Sequence, residues 1–209
     1  MPFTTTYTDL LARLRGEVNT ADLAPDLLGT PALVRRLYAA VLVVCESVPL
    51  VRLTLSDGVL SVKNVPGEAP SVTVYELPDL FYTRGDLGIW HVMFGEHVFP
   101  VSSATPPEEF GHLRGSPWLD NRPVFIFDPG KRELRALTSA VVKLRYAIPP
   151  PRPDAEDPDL SATIPLTAGD TETVVQLAAA HVTGVEGNDP LLNQMHSTFA
   201  NLYSPAHAN

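Results

Sequence analysis

The sequence predicts an α+β protein. A small helical bundle is formed by N- and C-terminal helices, with a central antiparallel β-meander or sandwich and a proline-rich arm. Three observations carry this. Apolar residues recur at helical spacing before Pro49, at a spacing near two from Leu50 to Ile148, and at helical spacing again after Pro165. Neither helical pair is long enough to bury a core alone, so the two ends of the chain are expected to pack together as neighbours. Between the β region and the last helices stands PPPRPDAEDPDL, residues 149–160, whose prolines favour polyproline II and whose charges stay solvated. The expected segments are N-terminal helices over 1–49, a β region over 50–148, a linker or arm over 149–165, and C-terminal helices over 166–209 packing with the first pair.

Taken in order, residues 6–18 read as a short helix with Leu10, Leu11, Leu14 and Val18 on one face and a Thr6–Asp9 capping box. Gly29-Thr30-Pro31 marks a second helix start, with Thr30 as N-cap, and Pro49 stops that helix. Leu50–Leu55 and Val59–Val65 flank Ser56-Asp57-Gly58, a hairpin-turn signal. Val72–Tyr75 is a short strand candidate. Ile89–Phe94 and His97–Val101 flank Gly95-Glu96, which fits a type II′ turn with glycine first. Residues 102–122 read as irregular. Two strand-like runs then flank Asp128-Pro129-Gly130-Lys131, and Val142, Leu144, Tyr146 and Ile148 alternate with Val141, Lys143 and Arg145 as a half-buried strand. Helices are expected over Thr171–Val182 and after the Asp189-Pro190 start, where Leu191, Leu192, Met195, Phe199, Leu202 and Tyr203 follow at helical spacing; the tail from Ser204 to Asn209 is expected to fray.

Composition narrows the function classes. The 209 residues are 44% hydrophobic, enough for a real core, and carry a net charge of −9. The clustered charge is acidic (Asp154, Glu156, Asp157, Asp159), with no Lys/Arg run of the kind that grips phosphate backbones. Sequence-specific DNA binding is therefore not expected. The one cysteine, Cys45, allows neither an internal disulfide nor a cysteine-based zinc site. The first residues lack a basic stretch followed by an apolar one, so no signal peptide is expected. The longest apolar run, Leu37 to Cys45, is about half a membrane span, so no membrane is expected as a partner.

Candidate chemistry is sparse. His91 and His97 flank one hairpin, could face each other across it, and with Glu96 could bind a metal, although no HExxH or HxH spacing is present. His181 lies on an apolar helical stripe, as a hydrogen-bonded or interface histidine. Cys45 sits in the stripe after Leu42 and reads as a core residue rather than a nucleophile. No G-x-S-x-G elbow and no phosphate-binding glycine pattern occurs. Glu108-Glu109 and the acidic tract lack the desolvated setting of a catalytic carboxylate. No cofactor, metal or catalytic residue is expected. Trp90, Trp118, Phe199 and Tyr203 are the aromatic candidates for an interface, and Phe199, Leu202 and Tyr203, near the chain end where internal cover is least expected, are the chosen anchors.

A sequence of short motifs adds to this reading. The chain carries Tyr75-Glu76-Leu77-Pro78, then Pro123-Val124-Phe125-Ile126-Phe127-Asp128-Pro129, then Tyr146-Ala147-Ile148-Pro149, an acidic spacer, and the Val/Ala-rich helix around Val174–Ala180. In this order, over most of the chain, it resembles the tailed-bacteriophage head-to-tail connector proteins (adaptor or head-completion proteins). It departs in its second helix, which lacks that family's polar character, and in its triple proline. The resemblance implies a non-enzymatic virion protein, made in the host cytoplasm, that forms a ring with neighbouring copies, usually a dodecamer, beneath the portal protein. Such a ring seals the DNA-filled head and offers a surface to the tail or neck protein, with DNA only as lumen content, and the acidic charge would let duplex slide without sticking. The rival readings are a sixfold tail-terminator-like component and a small hydrolase using Cys45 or the His91/His97 pair.

Overall fold

The structure is a computed structural model that describes residues 4–18, 29–69, 71–78, 88–113, 116–128, 130–153, 159–185 and 189–203. It is a mixed α+β fold with antiparallel sheets. The chain divides into two compact units, a helical one from Met1–Leu53 with Pro150–Asn209 and a β unit from Thr54–Pro149.

In the helical unit, strand β1 (Thr5–Thr6) leads directly into α1 (Tyr7–Glu17). The Thr6 hydroxyl accepts from Asp9 N–H at 3.2 Å and the Asp9 carboxylate accepts from Thr6 N–H at 3.2 Å, so two helix-end donors are satisfied reciprocally. Tyr7, Leu10, Leu11 and Leu14 form the buried face, each contributing about 1.5–3 kcal/mol of burial. Helix α2 (Thr30–Ser47) starts one residue earlier than the Thr30 cap reading requires. Gly29 is the N-cap, and the Thr30 hydroxyl instead accepts from the Arg15 guanidinium at 2.8 Å.

The later helices belong to the same unit and follow a β unit that contributes α3 (Pro107–Phe110). Helix α4 (Ala168–Thr183) opens on a Thr167–Asp170 capping box and ends at Gly184, whose φ of 65° permits the closing turn in which Val185 N–H reaches Ala180 C=O. Helix α5 (Pro190–Tyr203) begins after Asp189, whose carboxylate accepts from Leu191 N–H at 2.9 Å. Helices α2 and α4 pack together, α1 lies against both, and α5 lies against both. The wide apolar face of α2, including Leu33, Leu37, Val41 and Cys45, is buried accordingly. Among the described residues no helix is long and apolar enough to cross a membrane.

The capping box of α4 has a measurable weight. Thr167→Ala removes the hydroxyl that accepts from Asp170 N–H and donates to the Asp170 carboxylate, while Asp170 keeps its ion pair with Arg52. A loss of about 1 kcal/mol is expected, read as a lower urea midpoint at unchanged slope by far-ultraviolet circular dichroism. An unshifted midpoint would show that Arg52 and the Thr167 N–H, which also donates to Asp170, hold this end without the hydroxyl.

The linker expected as a projecting arm is in its described parts bound to the helices. The Tyr7 hydroxyl donates to Pro151 C=O at 2.9 Å, and Thr8 N–H reaches Leu160 C=O at 3.0 Å. Strand β12 (Thr163–Ile164) pairs antiparallel with β1, Thr5 opposite Ile164. Pro150 and Pro153 are buried. Prolines cannot donate a ladder bond, but they can cover apolar surface and leave their carbonyls to accept. Asp154, Glu156 and Asp157 lie outside the described residues.

The β unit is a sandwich. One sheet orders β2 (Leu55–Val59), β11 (Val142–Ala147), β5 (Ile89–Phe94) and β6 (His97–Pro100). The other orders β3 (Ser61–Lys63), β4 (Thr73–Glu76), β10 (Glu133–Ala136) and β9 (Phe125–Asp128). Between them Tyr75, Leu77, Phe125 and Leu134 from one side meet Val92, Phe94, Leu144 and Tyr146 from the other, with Phe94 and Phe125 ring centroids 5.2 Å apart. The alternation read in Val142, Leu144 and Tyr146 is this inner face. The two runs around Asp128–Lys131 form the β9–β10 hairpin, and the chain then changes sheet to enter β11.

Ser56-Asp57-Gly58 is not a turn. All three lie inside β2, paired with Tyr146, Arg145 and Leu144 of β11. Gly58 lies in a close approach instead: a Cβ there would sit 3.3 Å from the Tyr146 ring, which would have to give slightly. The strand expected from Leu50 begins instead as a 3-10 turn over Leu50–Arg52. The Gly95 turn is as expected, with Phe94 opposite His97 and a φ of 61° at Gly95. The region read as irregular holds α3 and a small hairpin, β7 (Trp118–Leu119) with β8 (Arg122–Pro123). Its two turn residues, Asp120 and Asn121, have φ of 50° and 62°, the double left-handed conformation of a type I′ turn.

Candidate functional site

The most distinctive group of side chains lies on the helical unit. Positions 196, 199 and 203 recur on one side of α5, so His196, Phe199 and Tyr203 form a stripe along it. Helix α4 supplies His181, whose ring is 4.8 Å from His196 and 4.6 Å from Phe199; Phe199 and Tyr203 are 5.0 Å apart. From α2, the Arg36 guanidinium stands 5.3 Å over the Phe199 ring and that of Arg35 stands 5.6 Å from the Tyr203 ring. Arg152, arriving from the proline segment, approaches the same tyrosine at 5.5 Å. Phe199 and Tyr203 therefore each meet at least one guanidinium, an arrangement worth about 0.5–1 kcal/mol per contact at a partly exposed site.

The electrostatics follow from the packing. Burial, with Arg36 and then His196 beside it, lowers the His181 pKa to about 4, so the ring is neutral at pH 7. Burial pushes the Tyr203 hydroxyl up, opposed by Arg152 and Arg35. Arg36 donates to Ala32 C=O at 2.9 Å, yet its Nε is buried without an acceptor, and so is His181 Nδ1. The hydrogen bond expected for His181 is thus not made at that atom. Unmet buried polar atoms are uncommon, and two fall in this one cluster.

Phe199, Leu202 and Tyr203 are all half-buried. The expectation of bare apolar anchors at the chain end is corrected for Phe199 and Tyr203, which are covered by arginines from α2 and the proline segment. The truncation that tests such anchors would disturb the bundle itself. Sequence reasoning missed Arg35, Arg36 and Arg152 because no local pattern connects them. The available signal was an adjacent Arg-Arg pair on a helix in an acidic chain.

The other candidates separate. In the β5–β6 register His91 stands opposite Pro100 and His97 opposite Phe94, so the two histidines lie on opposite faces and cannot meet across the hairpin. Among the described residues no three His, Cys, Asp or Glu side chains converge as metal ligands. Cys45 is fully buried in α2. Glu108 and Glu109 lie exposed on α3. Trp90 and Trp118 are each 41% exposed, so neither is a core residue; Trp118 rests beside His97 and Phe99 at 6.2 and 6.1 Å, next to Leu119 at 45% exposure. Beneath that hairpin an open groove of about 300 Å³ is lined by Ser103, Thr105, Glu109, Leu119 and Arg122.

No protein-family model matches the chain, and no curated protein sequence matches it.

Proposed function

We propose that the chain is a structural virion protein of the tailed-phage neck, a head-to-tail connector that assembles as a ring beneath the portal and offers a surface to the tail. The observation that carries the reading is the behaviour of the three motifs. Tyr75 and Leu77 of the first, Phe125 of the second and Tyr146 of the third come from separate parts of the chain, yet belong to one buried cluster. Motifs used in this way serve architecture, in keeping with a family that works by holding partners. Half-exposed Trp118 with Leu119 on the β unit, and the cation-covered stripe on the helical unit, are surfaces that neighbours in a ring could cover.

Mass spectrometry of purified particles of the source virus is expected to detect the chain at several copies. Native mass spectrometry of the isolated chain should give a monomer or weak associate that forms rings when portal protein is added. Absence from particles, or a stable dimer indifferent to portal, defeats the proposal.

A further inference from the structure

The helical unit concentrates cations where the chain as a whole is acidic. Arg35, Arg36 and Arg152 meet around Phe199 and Tyr203, in a protein of net charge −9. Among the described residues no carboxylate pairs with any of the three. Several described carboxylates of this unit are engaged elsewhere: Asp9 with Thr6, Asp170 with Thr167 and Arg52, Asp159 with Ser161, and Glu46 with Gln194. Arg35 and Arg152 are exposed. Arg36 Nε and His181 Nδ1 are buried and without partners in the same cluster. Arg152 bonds the Tyr203 hydroxyl, but among the described residues no carboxylate meets this group of arginines.

We propose that this face binds an acidic peptide segment of a partner protein, with carboxylates seated on the exposed guanidinium edges of Arg35 and Arg152 and the chain of the ligand lying along the His196–Phe199–Tyr203 stripe. The guanidinium groups of Arg35 and Arg152 stand over the Tyr203 ring on exposed side chains, and a guanidinium N–H edge is the group that binds carboxylate in two-pronged fashion. Rings beneath hold the arginines in place, so little side-chain freedom is lost on binding. A short acidic segment spans only this cluster. A nucleic-acid strand would follow its backbone beyond it, and three arginines are too few to release the counterions that support such binding. The inference stands independently of the connector proposal.

The test uses the full chain and a fluorescein-labelled, capped hexaglutamate peptide, with hexaglutamine and oligothymidylate as comparators, followed by anisotropy at low and moderate salt. Hexaglutamate is expected to bind, more weakly as salt rises, and hexaglutamine not to bind. Arg35→Gln with Arg152→Gln should weaken binding at least about tenfold. Arg35→Gln alone, at an exposed helical position, should give part of that loss with an unchanged circular dichroism spectrum, and so serves if the double variant is unstable. Lys143→Gln on the β unit should have no effect. Failure of the native chain to bind hexaglutamate, equal binding of hexaglutamine, undiminished binding by the arginine variants, or tighter binding of oligothymidylate would each overturn the proposal.

Discussion

Phe125→Ala is expected to destabilise the β unit by about 3–5 kcal/mol, lowering its melting temperature by more than about 10 °C. The ring is fully buried between the sheets and touches two others, Phe94 at 5.2 Å and Phe127 at 5.7 Å in an edge-on arrangement. Its neighbours, Tyr75, Leu134 and Leu144, are themselves fixed by strand pairing on both sides, so the hole left by truncation cannot close. Both tryptophans of the chain, Trp90 and Trp118, belong to the β unit, so tryptophan fluorescence follows its unfolding directly. A loss below about 1 kcal/mol would mean the sandwich core is able to collapse around the gap.

Acidification should weaken the two units in different pH windows. His181 has a folded pKa of about 4, below its unfolded value, so the unfolded chain holds the extra proton between them. The contribution of the neutral ring is complete above about pH 6.5 and is lost as pH falls toward 4, amounting to about 2 kcal/mol after allowance for partial exposure. Glu133 of the β unit behaves differently. Burial by itself would push its carboxyl up, but hydrogen bonds and charges from Lys63 and Arg135 outweigh that and hold it below the usual glutamate range. Its contribution is present above the ordinary glutamate value, about 4.3, and disappears as pH falls through its lowered folded value. Circular dichroism at the helical band should therefore lose thermal stability from about pH 6.5 downward, before tryptophan fluorescence does. His181→Gln should remove the first phase and Glu133→Gln the second. Coincident transitions insensitive to His181→Gln would contradict the assignment.

What could be read in the sequence was what is decided within a few residues. The Thr6–Asp9 box, the Gly95-Glu96 turn and the Asp189-Pro190 start are satisfied by their own neighbours, and they stand where the pattern puts them. The switch from helical to alternating spacing gave the α+β class because burial of one face forces that period. Readings failed where a distant residue decided the outcome. Gly58 reads as a turn glycine, yet it lies in a strand with the Tyr146 ring close beside it. Thr30 reads as a cap, yet Arg15 takes its hydroxyl. His91 and His97 read as a pair, and strand register divides them. For the candidate site, Phe199 and Tyr203 were found as aromatics worth notice, but the arginines that define their chemistry come from α2 and from the far side of the β unit in the chain.

That interruption has a consequence for how the protein is made. The β unit is one continuous stretch of about a hundred residues, and every strand of its two four-stranded sheets lies before Pro149. On the ribosome it can fold while α4 and α5 are still untranslated, whereas α1 and α2 must wait, apolar faces uncovered, for the last helices. The Ile148 N–H to Thr54 C=O hydrogen bond, 3.0 Å long, then joins the point where the chain enters the sandwich to the point where it leaves. A nascent chain folded in this order brings its early and late helices together as if a short turn linked them, without the entropy of closing a hundred-residue loop. The sandwich is therefore the assembly jig for the bundle as well as a unit in its own right.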